Sequence, residues 1–507
     1  MTDARAALRS LIPDALRQFE SAGRQTLRTC ASAGFAGSQK APSCPPLQSG
    51  EDLIDLAAAE CGRLQGEATG RALRRELEER FHAQTANHLG VDFHPEFFQG
   101  DLLFAMGCRH AVPVFSCGGV PADNVAFPRG LLLSRGQPGD NFFGCEKLPV
   151  LSGRHRHQLV SLMPAFDAAT VRAACAGLPG RLPDPADCAA LAQLVQQLYL
   201  HPRVLAQRLF REQAGIMNGL LWQAAIQPAC GLPPLATLDM QWLCSQLLRH
   251  DLQQPGTLAR RLLLEPALLA AVWEELNGDR ACWTGDEQAL CRGTFLFWGV
   301  GEHGRGLALT PSDRFSKLTS FKHPGWSMVL TAQNIREALE QGRLVPSLFL
   351  SFAVTCLARG LRCAGGVFQA AYLPRMAQGL AAALRRCGEP ALAGRVEGGA
   401  PSCQVCTGLL PLRIPRPEGS DPDAMQAGRA AGPAELWLAG GLSPALWQRL
   451  CDTAASDALA VSLPYHYDDL LGAHAGDPVR QALLREAAAA ACSLPFLTAR
   501  HGENCHA

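Results

Sequence analysis

The chain has 507 residues, is 48% hydrophobic and 18% charged, and carries no formal net charge. It is long enough for one large domain with an appendage, or for two to three domains. The charge balance excludes a general nucleic-acid binder, which needs a basic excess and a basic face.

The opening, MTDARAALRSLIPDALRQFE, lacks the basic cluster and apolar run of a secretory leader. No stretch approaches the roughly eighteen apolar residues of a membrane span. The expectation is a cytoplasmic protein with a small-molecule substrate and neither nucleic acid nor membrane as partner. The sequence leaves the oligomeric state open. Twenty cysteines scattered through such a chain read as reduced, mostly buried thiols rather than a disulfide framework.

Four lysines, Lys40, Lys147, Lys317 and Lys322, stand against forty-two arginines. The skew fits a GC-rich coding sequence, so residues that resist it are candidates for function. Residues 1–50 read as an N-terminal arm and linker, with Lys40 in the linker. The main body, 51–395, opens on an amphipathic helix or helix pair over 51–82, with Leu53, Leu56, Leu64, Leu73, Leu77 and Phe81 at helical spacing and a stop near Gly90.

The segment that follows, FHAQTANHLGVDFHPEFFQGD, places His82, Asn87, His88, Asp92, His94, Glu96 and Asp101 within about twenty residues as helix gives way to loop. Imidazole and carboxylate together suit a divalent ion such as zinc, iron or manganese, and His88, Asp92 and His94 are the favoured ligand subset. Gly90 and Pro95 prevent one continuous helix through the set. The plainer alternative is that these histidines cap and hydrogen-bond a partly buried loop.

Residues 117–160 alternate turn chemistry with short apolar pieces, as an ordered binding loop does. Asn124, Arg129 and Lys147 are candidate anion ligands there, joined by Arg154, His155 and His157 from RHRH. In a strand, Arg154 and Arg156 would face away from His155 and His157. A solvated edge is the alternative for this run.

From 167 to 278 apolar residues recur every three or four positions, predicting a helical scaffold. TFLFWGV and GLALT flank the turn GEHGR and predict a hairpin; WSMVLT predicts a further strand before a helix at NIREALEQG. Between them SDRFSKLTSFKHPGW carries Lys317, Lys322 and His323, candidates for a charge clamp, a base and a proton shuttle. Surface ion-pairing is the alternative for these lysines.

Helices are expected at 346–360 and 368–387, the latter placing Gln369, Tyr372 and Met376 on one side. A linker is expected at 396–433, with an unsupported CxxC at Cys403 and Cys406. The C-terminal segment, 434–507, should begin with a strand at ELWLAGG and continue as helices near 443–455 and 477–492. Its LPYHYDDLL, with Tyr465, His466, Tyr467, Asp468 and Asp469, reads either as a polar lid or as a helix N-terminus.

The fold class expected is therefore mixed α/β or α+β, helix-dominant: one large domain with short strands plus a C-terminal α/β segment. The functional expectation is an enzyme acting on a small polar or anionic metabolite, with a divalent metal at His88, Asp92 and His94. Catalytic roles would fall to Lys147, Lys317, Lys322 and His323. The alternatives are a metal-free transferase with a Lys/Arg/His anion site, and a non-catalytic helical interaction protein.

Overall fold

The structure, a computed structural model, describes residues 6, 8–9, 12–36, 45–124, 126–134, 145–182, 184–284, 293–399, 405–415, 422–471 and 477–497. Five short parallel strands organise it: His82–Gln84 (β1), Val112–Ser116 (β2), Leu235–Asp239 (β3), Arg362–Gly365 (β4) and Val405–Cys406 (β5). Their spatial order is β5-β4-β1-β2-β3, and every neighbouring pair is parallel. The chain walks outward from β1 through β2 to β3, then returns to the other side of β1 for β4 and β5. Its direction therefore switches between β1 and β4, the place where open α/β sheets leave a crevice at their carboxyl ends.

Burial explains why these strands escape a periodicity reading. Every residue of β1, β2 and β3 is buried, because helices cover both faces of the sheet. Ala83, Phe115, Ala236, Leu238 and Cys363 enter one core with Leu53, Leu73 and Leu77 of the helices Glu51–Gln65 and Glu67–Glu79. Val112, Val114, Leu235 and Ala364 enter a second core with Phe98 and Leu102 of the helix Pro95–Ala105. Strands of two to five residues, without alternation, look like pieces of helix or loop. Hence β3 sits inside the stretch expected to be helical, and β1 inside the His-rich segment expected to be helix and loop.

The helix-dominant mixed α/β class holds. The pair at 51–82 is two helices separated at Gly66. The expected hairpin forms, Phe297–Val300 pairing antiparallel with Gly306–Ala308. WSMVLT supplies the strand Ser327–Val329, and the helices Ala332–Glu340 and Gln369–Arg386 follow as read. ELWLAGG is a correction: Pro433–Leu438 is a helix, started by Pro433 in its first turn and by the Glu435 carboxylate accepting the Gly432 N–H at 2.7 Å.

The stretch read as a linker supplies β5, and Lys40 and Cys403 lie outside the described residues. The C-terminal helices share the second core with the sheet through Leu436, Leu450, Leu459 and Leu463.

Candidate functional site

At the carboxyl end of β1 the chain runs through Thr85, Ala86, Asn87 and His88 into a buried loop. It then starts the helix Pro95–Ala105, with His94 at the N-cap and Pro95 in the first turn. Hydrogen bonds across the sheet fix this end. Gln84 Nε2 reaches Thr407 Oγ1 at 2.8 Å, and the Thr85 hydroxyl donates to Gln369 Oε1 at 3.0 Å.

On the second residue of that helix, Glu96 turns back over the switch point. Its Oε1 lies 3.3 Å from where a Cβ on Gly366, just past β4, would sit. The C-terminal helix Ala455–Leu471 closes over it, and the Tyr465 hydroxyl donates to Glu96 Oε2 at 3.0 Å. Asp469, one helical turn further on, faces the same carboxyl. Burial first, and Asp469 second, push the Glu96 carboxyl up to about 7, with Tyr465 opposing. Glu96 is thus poised to exchange a proton near neutrality.

Two imidazoles stand on the same segment, the rings of His88 and His94 lying 5.4 and 5.0 Å from Phe97. Burial holds both neutral. His94 falls to about 3, helped by His88 and Lys147, and His88 is lowered despite its contact with Asn124. His88 Nδ1 lies 3.3 Å from Asn124 Oδ1, an acceptor that assigns the proton to Nδ1 and leaves Nε2 with its lone pair.

Beyond Asn124, Phe127 adopts a left-handed backbone, φ 49°, and its ring carries two cations: Arg129 at 5.1 Å and Lys147 at 5.2 Å. Arg129 also pairs with Asp123 at 3.4 Å. The hairpin Gly130–Ser134 with Cys145–Pro149 delivers Lys147 to this place.

The sequence-derived residues therefore divide. His88, His94, Asn124, Arg129 and Lys147 gather around the carboxyl end of β1. Asp92 lies on the same loop but turns inward, where Asn87 Nδ2 donates to it at 3.2 Å and to both oxygens of Asp101 at 3.2 and 3.1 Å. His88, Asp92 and His94 thus do not converge as a ligand set. Among the described residues, three metal-capable side chains lie within 4.8 Å of one another only at Glu76, His82 and Cys108.

Arg154, His155 and His157 lie in and beside the 3-10 turn Gly153–His155, not in a strand. Arg154 Nε donates to His155 Nε2 at 2.8 Å, and Arg156 Nε to His157 Nε2 at 2.9 Å. Arg154 and His157 are exposed, in keeping with a solvated edge.

Lys317 opens the strand Lys317–Thr319 in a separate antiparallel sheet. Lys322 and His323 line a surface cleft of ≈ 180 Å³ with Trp298, Arg305 and Phe321. Neither His88 nor His94 lines that cleft.

Sequence reasoning ranked Glu96 too low and left Tyr465 and Asp469 divided between two readings. LPYHYDDLL forms the last nine residues of the helix Ala455–Leu471, not its start, and Tyr465 and Asp469 on it face Glu96. The usable signal was the i, i+4 spacing of Tyr465 and Asp469, which puts both on one face. No protein-family model, curated protein or solved structure matches this chain.

Proposed function

We propose that the chain is a cytoplasmic enzyme that acts on a small polar or anionic metabolite by acid–base chemistry at the carboxyl ends of its parallel strands. One observation carries the reading. At the switch point of the sheet, Glu96, with its carboxyl at about 7, meets Tyr465 and Asp469 on the segment that also bears two neutral imidazoles. Glu96 exchanges the proton, Tyr465 orients it, and His88 offers Nε2 as a base. Lys147 and Arg129 meet the negative charge of the substrate.

No helix among the described residues is long and apolar enough to cross a membrane. Cys61, Cys117 and Cys244 are buried thiols, in keeping with a reducing compartment. A divalent ion at His88, Asp92 and His94 does not enter this reading, because Asp92 is committed to Asn87 and Asp101. The cleft of Arg305, Lys322 and His323 supports a second reading, anion binding away from the sheet.

A thermal-shift screen with small carboxylates and phosphate esters tests both readings, since a ligand that binds the folded form raises Tm. The stabilising ligand should lose its effect in Glu96→Gln and His88→Ala and keep it in Lys322→Ala. The reverse pattern removes the crevice from consideration. Turnover of that ligand should show a limb near pH 7 that Glu96→Gln abolishes.

A further inference from the structure

We propose that Glu76, His82 and Cys108 form a site for one zinc-class divalent ion at the amino end of β1, the end of the strand remote from the crevice. Glu76 stands in the last turn of the helix Glu67–Glu79, His82 begins the strand, and Cys108 follows the helix Pro95–Ala105. A carboxylate, an imidazole and a thiol are a donor set of the kind zinc takes, and one that magnesium and calcium do not.

Distances support a tetrahedral arrangement. His82 Nε2 and Glu76 Oε1 are 3.3 Å apart. Two N/O ligands at zinc bond lengths span a tetrahedral edge of about 3.4 Å. Cys108 Sγ lies 4.0 Å from His82 Nε2, against an edge of about 3.6 Å for sulfur and nitrogen. A shift of about 0.4 Å by the sulfur closes the difference.

Glu76 is also held as a ligand's second oxygen should be. Its Oε2 accepts the backbone N–H of Arg109 at 2.9 Å and of His110 at 2.6 Å, which leaves Oε1 aimed at His82. That oxygen is fully buried, with the His82 imidazole at 3.3 Å and the Arg80 guanidinium at 3.9 Å as its neighbours and no well-aligned hydrogen bond to either. A buried carboxylate oxygen held this loosely is stabilised further when a cation binds it directly.

Arg80 stands 3.9 Å from the same oxygen and donates to the Gly107 carbonyl, so it supplies positive charge to the site while no ion is held. Cys108 leans on the Phe104 carbonyl at 3.4 Å as a thiol. Binding forms the sulfur–metal bond and breaks the S–H bond, the proton leaving to solvent. Carboxylate and thiolate then balance a divalent charge, and one coordination position is left for water. The ion would tie two helix ends to the first strand, a structural role.

Cobalt(II) titrated into the reduced, chelator-treated full-length chain tests this. The expected result is one ion per chain with a thiolate-to-cobalt charge-transfer band in the near ultraviolet. Cys108→Ser should remove the band, and Glu76→Gln should weaken binding at least tenfold. No band in the unaltered chain, or one that survives Cys108→Ser, overturns the site. Should Cys108→Ser not fold, X-ray absorption on the zinc-loaded chain decides. One sulfur at about 2.3 Å supports the assignment; none, or more than one, overturns it.

Discussion

Two glutamates, Glu76 fully buried and Glu96 half-buried, stand near opposite ends of one three-residue strand, and their surroundings drive them in opposite directions. Burial alone would raise Glu76, yet His82 and the backbone amides of His110 and Arg109 outweigh it and hold the carboxyl below its ordinary value. Glu96 meets burial and a second carboxylate, Asp469, with only a tyrosine to oppose them, and rises to about 7. The difference lies in what each carboxylate accepts. Three donors make an anchored anion, whereas one donor and a neighbouring anion make a group that gives and takes a proton.

The amino end should be the more sensitive to truncation. Glu76→Ala strands two backbone N–H groups and an imidazole, and should cost about 3 kcal/mol in urea-denaturation free energy. Glu96→Ala should cost less than half of that. Equal losses would erase the contrast between anchor and proton carrier.

A gentler probe lies beneath the crevice, where Asp92 and Asp101 share the Asn87 amide and burial raises both carboxyls, Asp92 to about 7. The folded state therefore keeps protons that the unfolded chain releases above about pH 4. Stability from this pair is complete below that pH and is lost as pH rises through neutrality, where Asp92 ionises. Asp101→Asn should be more stable than the unaltered chain at pH 8, by about 2 kcal/mol, with the gain shrinking toward pH 5. A gain independent of pH would mean that the pair does not hold its protons. On the acid side His94, at about 3, and His466, at about 4, work the other way: both stay neutral when folded, so stability falls as pH drops below about 6.5.

The smallest effect belongs to one of the lysines that sequence scarcity singled out. Lys322→Ala should change stability by less than about 0.5 kcal/mol, since the side chain is exposed. A larger loss would show that the cleft is coupled to the body of the protein.

How much was legible follows from the same contrast between ends. The helices announced themselves through periodicity, and the hairpin around GEHGR through its turn residues. The central sheet did not, because strands buried on both faces carry no alternation. Within the site, His88, His94, Asn124, Arg129 and Lys147 were found because a polar, aromatic-rich segment stands out against an arginine- and leucine-rich background. Glu96 was placed among metal candidates and passed over. Its meaning depends on Tyr465 and Asp469, which are hundreds of residues away and arrive only through the fold. Lys317 and Lys322 show the converse, rare residues that the fold leaves on a separate antiparallel surface.

The order of the strands also sets a timetable. β1 gains its neighbour β2 almost at once, but the Thr85 hydroxyl finds the Ala364 carbonyl 279 residues further on. A chain emerging from the ribosome therefore carries β1 with one edge open through most of its synthesis. Such an edge is a template for wrong pairing. The three-residue length of β1 offers little to a stray strand, and its lasting partner comes only when the return half of the sheet, with Gly366 and the floor of the crevice, has been made.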